Sequence, residues 1–501
     1  MRRIASATIA GLLAALCCAP AAPAASRLVV KGHGFGHGIG MSQYGALGYA
    51  QHGFGYADIL SHYYEQTTLA PLGTEPDVRV LLETTRRATI TGAVAAGTRK
   101  LSPTRSYSAT QTAGRITLWS TSGKKRLGTY DAPLRFVAPD GGTLQLRGLA
   151  ANGLRDGRYR GAFEIRPAGS GSVLAINAVD LEDYVRGVVS AESPASWPAA
   201  ALQAQAVVAR TYAVTTNVGT PDDGIDQYAD TRSQMYKGVA AEYPSTDAAV
   251  AATNKVVVTE DGNPVVTYFF STSGGHTENV EFSFIGALPR PWLKGVDDPF
   301  DDISPKHTWQ PFTFTGAQVQ ARLKGLVRGR FEGIKVLERG TSPRIVRAEV
   351  AGSAGVTQTT GPELRRRFGL YDTWATFTWI TSNAKKPASP DDDQDPSTTA
   401  PAAAVPPSTG GITAGTAPVV PNDSGGAPAA AARVAPSVLT GIVDRATAGR
   451  RLRVQRREDG RWRTVGTTRA GTGGRYRAPL PGSGTYRVVF GDIAGPAVDI
   501  R

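Results

Sequence analysis

From Ala199 to Val214 alanine, leucine and valine recur on every side of a helix, broken by only a few polar residues. A helix that is apolar almost all round has no face to give to water and must lie at the centre of a domain. Ser196-Trp197-Pro198, just ahead of it, offers an N-cap with proline in the first turn. Its polar residues are then informative. Gln203 and Arg210 share one face, and Gln205 and Tyr212 share nearly the opposite one. A buried arginine needs a partner and buried amides need hydrogen bonds, so these faces either brace neighbouring segments or reach a substrate.

The surroundings of that helix read as strands. Val78 to Asn177 is a series of short apolar runs separated by glycine and aspartate turns, and the chain carries 58 glycines and 33 prolines in 501 residues. That length holds about three domains, and that composition favours loop-rich β structure. The expected fold class is α+β: a β-rich main domain over residues 28–382 built around the buried helix, with a small all-β sandwich over 433–501. Between them, residues 385–432 combine proline with alanine, serine, threonine and glycine and include Asp391-Asp392-Asp393. Such a segment has too little apolar surface to fold and reads as a disordered linker. In the tail, Leu452-Arg453-Val454 and Tyr486-Arg487-Val488 alternate with period two, punctuated by turns at Glu458–Gly460 and Gly471–Gly474.

Residues 1–25 follow the plan of a secretory signal peptide: Arg2-Arg3, an apolar run from Ile4 to Leu16, then small residues with cleavage near Ala24 or Ala25. No later stretch is long and apolar enough to span a bilayer. Both cysteines, Cys17 and Cys18, lie inside this segment. Cleavage leaves a secreted, extracellular or wall-associated protein without disulfides or thiolate-bound zinc; a lipid anchor on one of the cysteines is the competing reading. The formal charge of +13 is concentrated in the tail, where 14 arginines face 5 acids between Arg433 and Arg501. The main body is therefore no polyanion binder. The tail is either a solvated sandwich face or an anchor for anionic polymers; an exported chain excludes nucleic acid as its partner.

Three segments carry chemistry. Tyr184 to Pro194 reads as a β-type run that brings Glu192 to a strand end beside Trp197 and the next helix. Apolar surroundings raise a carboxyl pKa, as a general acid at neutral pH requires, while the dipole of the following helix opposes that shift. Glu192 is thus either a catalyst or a plain helix-entry carboxylate. In Gly32 to Ala46 glycine occupies each even position through Gly40, so an extended chain would present His33, Phe35, His37 and Ile39 on one face and bare backbone on the other. Ser42 then caps a short helix carrying Gln43 and Tyr44, and Tyr56 to Tyr64 forms a second amphipathic helix. On an extended strand the two histidines stand about 13 Å apart, too far to share a metal ion; they suit hydrogen bonding to substrate or ordering of a cleft. Tyr268 to Glu278 is a strand running into a turn whose Ser271, Ser273, Gly274, Gly275 and Thr277 offer hydroxyls and amides suited to sugar hydroxyls, or simply form a tight turn. It lacks the Gly-x-Ser-x-Gly elbow of a serine hydrolase.

In combination, Leu181–Glu192, Trp197–Tyr212, Gln234–Gly238, Ser271–Thr277 and the glycine-histidine stretch at 32–45 resemble the stage II sporulation protein D and amidase-enhancer family. The resemblance implies a murein lytic transglycosylase acting on peptidoglycan glycan strands, with Glu192 at the position of the single catalytic glutamate. It implies a substrate site built from His33, His37, Ser42, Gln43, Tyr44, Gln203, Gln205, Arg210, Tyr212, Ser271, Ser273, Gly274, Gly275 and Thr277. It also implies an alternative: a non-catalytic peptidoglycan-binding protein that stimulates a separate cell-wall amidase. Two departures stand out. The glycine-histidine motif leads the chain instead of following the rest of the domain, a permuted order that requires the domain's ends to lie close together. Some members hold zinc through His and Cys, but Asp226–Ser233 supplies neither, so no metal or other cofactor is expected.

Overall fold

The computed structural model describes residues 25–120, 125–219, 223–385, 437–444 and 447–500. Apart from Ala25 and Lys385, the signal-peptide and linker readings lie outside the described residues. The architecture is mixed and strand-rich, with several separate sheets. No helix among the described residues is long and apolar enough to cross a membrane.

Short helices α1 (Gln43–Gln51) and α2 (Tyr56–Tyr63) follow the glycine-histidine stretch. Ser42 caps α1, accepting from the Gly45 N–H at 3.1 Å. Helix α3 spans Leu181–Glu192, and α4 spans Ala199–Thr215. The α3 assignment corrects the β-type reading of Tyr184 to Pro194. Asp180 caps the helix by accepting from the Glu182 N–H at 2.9 Å, and Glu182 and Asp183 favour its first turn. The fully buried Tyr184, Val185, Val188 and Val189 recur with helical rather than strand spacing. Tertiary packing of that stripe overrides the β preference of paired valines. Gly187 sits mid-helix because a Cβ there would lie 2.4 Å from the Tyr236 ring. The cap of α4 also differs from expectation: Pro198, not Ser196, occupies the N-cap position, and no side chain caps the helix.

Helix α4 joins two cores. Leu202, Ala206, Ala209 and Ala213 pack with α3 and with residues of two large sheets, whose central strands include Asp77–Thr85 and Val173–Asp180 in one and Ala88–Thr91 and Ser106–Thr112 in the other. Ala204, Val207 and Val208 face the opposite way, onto Ile39, Met41, Ile59 and Tyr64. A third core gathers Leu28 and Val30 with Trp309, Ile345, Phe368 and Trp379.

Residues 33–40 are not a strand. Gly34, Gly36, Gly38 and Gly40 take φ of +81°, +139°, +85° and +71°, so the expected common face of His33, Phe35, His37 and Ile39 does not form. The segment wraps a buried ion pair instead. Arg344 donates to both carboxylate oxygens of Asp372 at 2.9 Å and to the carbonyls of His276 and Ser273 at 2.7 and 2.8 Å. A Cβ on Gly34 would meet Asp372 at 2.7 Å, and one on Gly38 would meet Arg344 at 2.5 Å. Bare backbone is therefore needed on both sides of the pair.

The body's first and last strands are neighbours: Ala25–Gly32 pairs antiparallel with Ala375–Lys385 along its whole length. The latter strand continues into a sheet with Val438–Ile442 and Arg475–Pro479. Across a core containing Ile380, Leu439, Leu452, Tyr476 and Val488, that sheet faces a second one built on Arg451–Glu458, Arg461–Arg469 and Gly484–Phe490.

Two alanine substitutions separate conformational strain from crowding. Gly53 has φ +88° and nothing within 4 Å of an added Cβ, whereas Gly40, at φ +71°, would place its Cβ 2.1 Å from the Tyr268 carbonyl oxygen. In urea unfolding, Gly53→Ala is expected to cost about 1–2 kcal/mol, and Gly40→Ala about 3 kcal/mol more because the backbone itself must shift.

Candidate active site

Glu192 is the last residue of α3, so its carboxyl sits where the helix dipole is negative. That reverses the dipole argument drawn from sequence. Burial pushes its pKa up, against the lowering effect of the Met235 N–H, the Gln43 amide and Lys237; the negative helix end acts in the same direction as burial. No carboxylate is among the groups acting on it in the described residues.

Each donor is delivered by a separate element. Met235 N–H donates to Glu192 Oε1 at 2.6 Å. The Gln234–Gly238 segment that carries it is fixed on both sides: Gln234 accepts from Tyr184 Oη and donates to the Ala209 carbonyl of α4, and the Tyr236 ring stacks on Tyr184 at 5.2 Å. Gln43, the first residue of α1, donates to the Glu192 carbonyl at 3.2 Å, approaches Oε2 at 3.5 Å and reaches Gln205 Oε1 of α4 at 3.3 Å. Ser193 Oγ donates to the same Gln205 oxygen at 3.2 Å. Tyr44 meets the Trp197 ring edge-on at 5.3 Å, and its N–H donates to the Ser271 carbonyl at 3.0 Å. Glu192, Tyr44, Trp197 and Ser271 all remain partly open to solvent.

The other expected residues fall into supporting positions. Buried Asp301 accepts from Ser42 Oγ, Ser273 N–H and Gly274 N–H, each at 2.9 Å, and pairs with His307 Nδ1 at 3.0 Å. It thereby ties the start of α1 to the 271–277 loop. Ser273 Oγ accepts from the Gly275 N–H, and Thr277 Oγ1 from the Val296 N–H. Ser273 is thus engaged within the loop and Thr277 with the neighbouring Val296 segment. Arg210 is fully buried and grips Glu182 through two bonds of 2.6 and 2.7 Å, with a third to the Val256 carbonyl. Tyr212 packs near Tyr268 and Phe269, and Gln203 is half-buried on α4. His33 bonds to the His307 carbonyl and lies against Trp374, while His37 is enclosed by Phe270 and Phe284. Burial drives the His37 pKa down to about 3, so its imidazole is neutral.

The structure therefore brings Gln43 to Glu192 with Gln205 behind it, joins Tyr44 to Trp197 and the Ser271 carbonyl, and uses Arg210, His33 and His37 as braces elsewhere. Met235 and Lys237 were missed as individual residues although their motif was visible. Asp301 could have been sought from the acidic run at 297–302, since buried acids require donors; nothing in the sequence marks Arg344 as the partner of Asp372.

Chemically, one enclosed carboxyl with a raised pKa, held by an amide and a backbone N–H, can give and take a single proton. The elements that build it coincide with a known family: residues 169–259 match SpoIID, described as a stage II sporulation protein. That match takes in α3, α4 and Gln234–Gly238. It is 31% identical over 221 residues to the stage II sporulation protein D of Bacillus subtilis, covering 41% of this chain and 62% of that protein. The counterpart from Bacillus amyloliquefaciens is 30% identical over 220 residues, covering 41% and 61%. The amidase enhancer of Bacillus subtilis is 37% identical over 95 residues, covering 19% of this chain and 12% of that protein. The chain thus spans less than two thirds of the sporulation relatives' length.

Behind α1, burial and the neighbouring Asp301 carboxylate push Asp298 up to about 7, with Tyr63 Oη donating to it at 2.8 Å. A carboxyl whose folded pKa is raised favours the native state below its unfolded value, and that stability is lost as pH rises through the folded pKa. Compared with Asp298→Asn, the wild type should lose stability progressively between about pH 4 and pH 7, with a constant difference above that range, as read from urea midpoints at each pH.

Proposed function

We propose that this chain is an exported peptidoglycan lytic transglycosylase that cleaves glycan strands to 1,6-anhydro-muramyl products during cell-wall remodelling, with Glu192 as acid and then base. The observation that carries the reading is the enclosure of one carboxyl, its pKa raised by burial, within the segment that matches the family.

Protonated Glu192 gives its proton to the glycosidic oxygen as the bond from the muramyl C1 breaks, and positive charge develops at C1 and the ring oxygen. The resulting carboxylate takes the proton of the same sugar's 6-hydroxyl as that oxygen attacks C1. The anhydro ring closes, Glu192 is again protonated and no water is consumed. A second carboxylate nucleophile is unnecessary, which fits a site where none acts on Glu192 among the described residues. The Met235 N–H steadies the carboxylate produced in the first half of the cycle. Gln43, itself braced by Gln205, holds it in position.

The test is mass spectrometry of soluble products after the mature protein meets purified glycan strands, with and without stem peptides. Anhydro-ended fragments are expected from the wild type, and Glu192→Gln should lower their rate by about 100-fold or more. The wild-type rate should fall as pH rises through the Glu192 pKa, because the protonated form is the acid. A second reading, stimulation of a separate amidase, is supported by the likeness to an amidase enhancer. In that case strands stay intact, while an added amidase releases stem peptides faster.

A further inference from the structure

A cavity of about 650 Å³ opens where the C-terminal sheets meet the body. Its size falls within the roughly 300–1,000 Å³ of small-molecule sites, and junctions of this kind are where such sites concentrate. None of its lining residues touches Glu192. The body contributes Arg330, Glu332, Trp379 and Asn383, and the C-terminal sheets contribute Arg475 and Tyr476.

The walls are rigid. Trp379 and Tyr476 are each 4% exposed, and Tyr476 Oη is fixed between Ser382 Oγ and the Thr381 carbonyl at 2.9 and 2.8 Å. The backbone of Arg330 is clasped by Ser353, whose Oγ accepts from the Arg330 N–H at 2.9 Å while its own N–H donates to the Arg330 carbonyl at 2.8 Å. Arg475 opens a strand paired with Ile442. Arg330 and Arg475, from two different parts of the chain, thus line one space, and among the described residues Glu332, which already has an interaction, is the carboxylate beside them. Two lining arginines favour an anionic ligand, and their planar forks suit a carboxylate. The Asn383 amide and the Ser26 and Thr440 hydroxyls line the same space and suit the hydroxyls of a sugar.

We infer that this junction cavity is a binding site for a saccharide bearing a single carboxylate. It would hold the chain on a glycan independently of any cleavage at Glu192, so it stands whether or not the catalytic reading does.

The test uses saturation-transfer NMR on the intact mature chain with two probes, N-acetylmuramic acid and N-acetylglucosamine, which share a ring and an acetamido group but differ in a carboxylate-bearing ether. N-acetylmuramic acid should bind at least about ten-fold more tightly, and Arg330→Gln/Arg475→Gln should remove about ten-fold of that affinity, the effect of losing charge-assisted hydrogen bonds. Both arginines are exposed, so the thermal midpoint should stay unchanged. Equal binding of the two sugars, no transfer to either, or affinity for N-acetylmuramic acid untouched by the double substitution would each overturn the assignment.

Discussion

The enclosure of α4 is the constraint on which the rest of the structure depends. A helix enclosed along most of its length sends few polar atoms to water, so its buried polar groups become junctions with other elements. Arg210 is joined to Glu182 of α3, Gln205 to Gln43 of α1, and the Ala209 carbonyl to Gln234. The elements that surround Glu192 are therefore positioned by one buried rod.

The buried acids divide accordingly. Glu182 and Asp372 each hold an arginine through two bonds, and Asp301 collects hydroxyl and backbone donors. These carboxylates are committed to architecture. Glu192 differs: it is partly open to solvent, its nearest donors are neutral, and Lys237 acts on it only through its field. The same burial that stabilises a paired acid leaves this one reluctant to ionise, which is the property an acid catalyst needs.

Much of this was legible in the sequence. The burial of α4 followed from composition and period, and the capping role of Ser42 from its place before a short helix. The misreadings have physical causes. Valine pairs suggested a strand at 184–194, where an aspartate cap and helical burial spacing prevail. Alternating glycines suggested an extended face at 33–40, where positive φ at four of them folds the chain around Arg344 and Asp372 instead. That ion pair joins residues adjacent in space but separated by a β excursion, and local pattern carries no trace of such a pairing. The arginine-rich tail reads as a separate module, yet its first sheet is continuous with the body's last strand.

That continuity bears on how the protein comes to be folded. Ala25–Gly32, near the start of the chain, finds its pairing partners in Phe312–Thr315 and Ala375–Lys385, both late in the body. Closing so long a loop is slow, and until it closes Leu28 and Val30 have no apolar neighbours from the strand at 375–385 to shelter them. The body therefore cannot lock shut before its closing strand is available, whatever order the rest of it folds in.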